Sequence, residues 1–194
     1  MNFSDLLPTI LPHVPGCPDP LVIDTVRRAA IIFCRDSHAW SEQLNGIYPV
    51  EGVLRYRLDP PEDTQIVAID RIGYRSRSGF SELPEHDWPK INAFGLLTFD
   101  RQPHIGKGPI EVHVILAPSE TAASILDQFG SKYREGLIHG ATGILQSMPN
   151  KDWSNPPLAS YHNMEFESSK REARNRRANG DSERPMRVAP RHLL

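Results

Sequence analysis

Apolar side chains recur at steps of three, four and seven through Val22, Val26, Ala29, Phe33, Trp40 and Leu44. That spacing lines one face of an α-helix and predicts a helix over residues 19–44. Asp19-Pro20 opens it with a capping carboxylate and a first-turn proline, and Asn45-Gly46 closes it. Ahead of it, Ser4 caps a short helix over 4–11, and Pro12, Pro15 and Pro18 keep the two apart. From residue 47 the period becomes two. Leu54, Tyr56 and Leu58 alternate with Arg55 and Arg57, while Ile110, Val112, Val114 and Leu116 alternate with Glu111 and His113. Further β-rich runs cover 66–72 and 94–99, so at least four antiparallel strands are expected between 47 and 117. Residues 75–90 have little periodicity and read as a long loop, a class of segment that often lies at contact surfaces.

The helical step returns after Pro118. Ser119 is expected to cap a second long helix running to Pro149, with Leu126, Phe129, Tyr133, Leu137, Ala141, Ile144 and Met148 on its stripe. Gly130, Gly136, Gly140 and Gly143 lie inside it, each costing about 1 kcal/mol relative to alanine. The last three share a face, so another backbone is expected to approach there, most simply the 19–44 helix. A third helix begins at Asn155-Pro156 and runs to about Asn179. Its first half carries Leu158, Tyr161, His162 and Phe166, but residues 168–179 hold no large apolar side chain. A helix polar all round has nothing to bury, so this end is expected to project into solvent or a partner, and its removal to leave a folded protomer. The pattern as a whole predicts an α+β fold. Long helices form a helical body over residues 1–167 with an inserted antiparallel β-rich subdomain at about 47–117, followed by a projecting basic helix end and extended tail over 168–194.

Composition sharpens this in one respect. The 194 residues carry a net charge of −2, with 39% apolar and 24% charged, which fits one soluble-type domain with a modest core. No uncharged apolar run approaches the ~18 residues of a membrane span, and the acid at position 5 with early prolines does not fit a secretory leader. Cys17 and Cys34 have no paired spacing, so a reducing compartment is the simplest reading. The charge is uneven. Residues 168–194 hold eight basic side chains against three acids, a balance of +5 that leaves −7 on the first 167. A basic tail on an acidic body points to an acidic partner or another copy of the same body.

Catalytic chemistry is not in evidence. Gly106-Lys107-Gly108 lacks the spacing of a phosphate-binding loop and precedes a strand, so it reads as a hairpin turn. The eight histidines (13, 38, 86, 104, 113, 139, 162, 192) form no HxH or HExxH pattern, and no metal or other cofactor is expected. Cys34 sits among Ile31, Ile32 and Phe33 as a small buried hydrophobe. Glu85-His86-Asp87 offers acid–base groups, but neighbours in a loop point apart, so a solvated or interface loop is expected rather than a hydrolase site. The run Lys170-Arg171-Glu172-Ala173-Arg174-Asn175-Arg176-Arg177 forms a cationic ridge. It admits three readings: a solvated face, docking on an acidic protein groove, or contact with nucleic-acid phosphates.

Several stretches together resemble the head-to-tail adaptor (connector, neck) proteins of tailed bacteriophages, the rings that join portal to tail. They are the opening FSDLLPTILPHVPGCPDPLVIDTVRRAAIIFCRDSHAW (3–40), then Gly136-Leu137-Ile138-His139-Gly140-Ala141, Met148-Pro149, Asp152-Trp153-Ser154-Asn155-Pro156, and Phe166 ahead of residues 171–179. They cover about half of the chain. The resemblance implies a non-enzymatic virion protein, made in the host cytoplasm and assembled as a ring, usually a dodecamer, in the neck between capsid and tail. Its C-terminal arm would reach into the portal protein, its other end would meet tail or nozzle proteins, and viral DNA would pass through without sequence recognition. On this reading the portal-docking residues are Lys170, Arg171, Arg174, Arg176, Arg177, Arg184, Arg187 and Arg191, with Leu193 and Leu194 as a terminal anchor. The alternative is a nucleic-acid-binding regulatory protein that uses the same basic tail.

Overall fold

Residues 1–77 and 79–179 are described by the structure, a computed structural model. The α+β fold is observed. Its helical layer consists of α1 (Leu7–Ile10), α2 (Asp19–Ser37), α3 (Asp127–Lys132), α4 (Arg134–Gln146) and α5 (Pro156–Ala178). The strands are β1 (Ser41–Ile47), β2 (Arg55–Arg57), β3 (Thr64–Ser76), β4 (Gly79–Glu82), β5 (Lys90–Ile91), β6 (Leu96–Thr98) and β7 (Ile110–Pro118). They form an antiparallel four-stranded sheet in the order β1-β7-β3-β4 and a small three-stranded sheet in the order β2-β6-β5. α2 packs on β7, so one apolar core runs from Phe3 and Phe33 through Val112 and Leu116 to Phe166 and Ala173.

α2 stops seven residues short of the expected end. Ser37 turns its hydroxyl back onto the Phe33 carbonyl at 2.6 Å and also accepts from the Ala39 amide. His38 then takes a left-handed conformation (φ 54°) while its amide donates to Cys34. Trp40 and Leu44 fit a helical step, but they are delivered to the core by β1, where Leu44 and Ile47 face inward across a bulge against β7. Asn45-Gly46 lies inside the strand rather than after a helix. The opening turn is likewise capped by Asn2 in a capping box with Asp5, not by Ser4.

Ser119 caps no helix. Residues 119–126 are held by the chain's beginning instead: the Phe3 amide donates to Ala123, the Ile125 amide donates to Met1, and Asn2 bridges Ser124. This tertiary pairing overrides local helix signals, and the helix starts only at Asp127. It then breaks at Tyr133 (φ −114°, ψ 19°), whose ring packs against Phe33 and Phe129 with centroids 5.0 and 4.8 Å away.

The 75–90 segment is also more ordered than its pattern implies. β4 folds back on the end of β3, with Gly73 opposite Glu82 and Ser76 opposite Gly79, and β5 follows. The hairpin faces are mostly polar (Arg75, Ser76, Ser81, Glu82), which conceals a period of two.

The glycine face of α4 meets α5 more than α2. A Cβ on Gly140 would lie 2.7 Å from the Phe166 ring, and Gly143 abuts Asn163 of α5. Only Gly136 also touches α2, where Phe33 and Ser169 would each stand 3.0 Å from its Cβ.

Candidate partner-binding surfaces

α5 is set by the sequence signals read for it. Asn155 caps it by accepting from the Leu158 amide, and Pro156 occupies the first turn. Ala159, His162, Phe166, Lys170 and Ala173 then form a buried stripe at steps of three and four. The polar half therefore does not project: up to Ala178 it lies against its own body. Small Ala173 is fully buried, and the stem of Lys170 fills what a large apolar residue would otherwise occupy.

Charge completes that docking. Lys170 is 5% exposed, with its ammonium 2.5 Å from Asp36, 2.7 Å from Glu167 and over the Phe166 ring. Burial works against the charge, but the hydrogen bonds that Lys170 donates to Asp36 and Glu167 outweigh it and hold the amine above its usual pKa. Arg174 donates to the Asp36 carbonyl. Arg177 pairs with Asp70 of β3, which also accepts from Ser41 of β1 at 2.7 Å. Partial burial raises the Asp70 pKa, but hydrogen bonds from Ser41 and Arg177 prevail and hold it below the usual carboxylate range. Burial pushes the neighbouring His38 imidazole down, with Arg177 and Arg174 adding to it.

Of the ten residues read as portal-docking, then, Lys170, Arg174 and Arg177 are engaged with Asp36 and Asp70 of the same chain. Arg176 pairs with Glu172 one turn away, a solvent-exposed pair at 2.6 Å. Arg171 is exposed and has no ion pair among the described residues. Arg184, Arg187, Arg191, Leu193 and Leu194 lie outside the described residues. Asp36 and Asp70 were invisible to a sequence reading because ion pairs across 107 and 134 positions leave no local spacing.

Exposed apolar side chains are the second feature. Among the described residues, Tyr48, Val50, Val53, Leu54, Phe94, Leu96 and Ile105 of the β-rich insertion are at least 36% exposed, Phe94 79%. The loop bearing Val50 and Val53 is shaped by Tyr56, whose hydroxyl reaches both carbonyls, and by Gln102, which bonds Gly52 and Val50. α5 adds Leu158, Tyr161 and Met164, each about half exposed.

Glu85–Asp87 is one exposed 3-10 turn in which His86 sits 3.5 Å from Asp87. Gly106-Lys107-Gly108 is a turn with two left-handed glycines. Cys17 and Cys34 are buried, and burial drives the Cys34 thiol far above its usual pKa. One cluster escaped the sequence reading. His139 of α4 and His162 of α5 join Nδ1 to Nδ1 at 2.8 Å, and His13 packs edge-on against His162. Burial lowers the His162 pKa, with His139 and His13 adding to it. No group of His, Cys, Asp or Glu among the described residues is arranged to hold a metal, and no described helix is long and apolar enough to cross a membrane.

No family model matches the chain, and no curated protein matches it. Among solved structures, a chain from the neck of an empty GTA particle computed with C6 symmetry aligns over 76% of this chain and 79% of its own, at 14% identity and a TM-score of 0.32. A superposition that loose identifies neither family nor function.

Proposed function

We propose that this chain is a non-enzymatic virion structural protein, a head-to-tail adaptor. Copies of it form a ring in the neck, dock on the portal through the C-terminal arm, present the opposite end to the tail, and line part of the DNA channel. The observation that carries the reading is the surface of the β-rich insertion. Seven large apolar side chains stand exposed on the β-rich insertion, and an assembling subunit has neighbours to cover them. The sequence stretches that resemble adaptors support it as well. Although separated by the whole insertion, they fold together as α2, α4 and α5 of one helical layer. The acidic balance of the first 167 residues suits a conduit wall along which DNA slides without sticking.

On this reading the docking arm begins further along the chain than residue 168. With Lys170, Arg174 and Arg177 clasped to the body and Arg176 paired with Glu172, the arm available to a portal is Arg171 and the residues after Asn179. The same engagement removes three cations of the ridge from the nucleic-acid alternative as well, since they already have partners. Truncation after Asn179, rather than before Ser168, therefore separates arm from fold. The truncated chain is expected to stay folded and to lose co-sedimentation with portal rings. Undiminished co-sedimentation refutes the adaptor reading, and retention on DNA with a steep salt slope replaces it by the nucleic-acid one.

A further inference from the structure

An open cavity of about 570 Å³ lies between the chain's first turn, the 61–64 turn and the start of α3. Leu126, 50% exposed, supplies its accessible apolar surface, with the buried Trp40 and Ile125 behind it. Asp5, Glu62, Asp63 and Asp127 rim it. Of these four carboxylates only Asp127 has a cationic partner among the described residues, the Met1 ammonium. Arg134 stands nearby but donates to the main-chain oxygen of Asp5, 3.1 Å away, and not to its carboxylate.

The cavity connects to the end of α5. Trp40 and Leu126 also line a second hollow with Lys132 and Tyr133, and those two line a third with Glu172 and Arg176 of α5. At the same place Arg177 is tied to Asp70, which holds Ser41, the residue after Trp40. The end of α5 thus flanks the third of three hollows that share lining residues in sequence. Fifteen residues follow Asn179, enough to extend about 50 Å. Their final eleven contain Arg184, Arg187 and Arg191, no acidic side chain, and the terminal pair Leu193-Leu194.

We propose that the groove is the docking site of the same chain's own C-terminal segment, with its arginines on the carboxylate rim and its terminal leucines on Leu126. The complementarity is electrostatic at the rim and apolar at Leu126, and covalent linkage within reach of the groove raises the local concentration of the segment to about the millimolar range. The inference rests on the adaptor reading only for what draws the segment out: a portal would have to compete with this groove, so the arm is kept covered until its partner arrives.

Disulfide trapping in the full-length chain tests it. Leu126→Cys combined with Leu193→Cys is expected to close within one chain at least about tenfold faster than the control pair Leu158→Cys with Leu193→Cys. The native cysteines are buried and do not compete. Asp5→Asn, Glu62→Gln and Asp63→Asn together are expected to remove most of that advantage. Equal rates for the two pairs, an advantage untouched by rim neutralisation, or a disulfide joining two chains would each overturn the proposal, the last by giving the groove to a neighbouring copy. No portal is present in this measurement, so a negative result leaves the adaptor reading standing, and failed portal binding leaves this one.

Discussion

Lys170 brings a positive charge into the helical layer and is kept there by Asp36 and Glu167. Replacing Asp36 by Asn removes the shorter of its two ion pairs while the stem stays buried. Because Asp36 itself is partly exposed, the expected loss is about 1–2 kcal/mol rather than the full cost of a broken interior pair, measured as a lower urea midpoint. The His139–His162 contact makes a second prediction. Two imidazoles that share one Nδ1–H···Nδ1 bond need one neutral acceptor, so a further proton breaks the link between α4 and α5. His162 has a pKa lowered in the folded state, so its contribution is whole above the unfolded value of about 6.5 and is lost as pH falls below it. The melting temperature is expected to drop on acidification through that range, and His162→Gln is expected to flatten the dependence. At this scale the sequence was least informative. It showed the basic ridge but not the acids that hold it, and it showed eight histidines without showing that three of them meet.

The α4–α5 contact is where element-level reasoning succeeded and failed together. Small residues at steps of three and four correctly signalled a close approach, but they could not say which helix approaches. The side chain of Phe166 fills the notch that Gly140 leaves. Gly140→Ala adds helix propensity but forces that ring to move, and a net loss of about 1–3 kcal/mol is expected in thermal unfolding. Phe166→Leu on the same background should recover part of the loss. α5 itself was legible end to end because its cap and first-turn proline are local features. The two misplaced boundaries share one cause. At 38–44 and at 119–126 the apolar spacing fits a helix, but hydrogen bonds to distant strands or to the first residues decide the backbone. The 75–90 hairpin was hidden for a different reason, since its polar faces give no alternation to count.

At the level of the whole molecule, the α+β class and the placement of the sheets between helices follow directly from the switch of period at residue 47 and its return after 118. What composition misjudged was the status of the helix end, because a lysine stem and an alanine pack as well as one large side chain when acids wait opposite. The groove could not be read from the chain at all, as its walls come from four separate segments. One feature of the architecture binds these parts mechanically. β3 is thirteen residues long, about 43 Å, and is hydrogen-bonded to β7 for most of that length. Asp70, midway along it, grips Arg177 at the root of the C-terminal segment. The register of β3 against β7 slips at 66–68 and again at 69–71, so the ladder is interrupted beside Asp70, and the ion pair to Arg177 clasps the ribbon where its own backbone pairing is weakest.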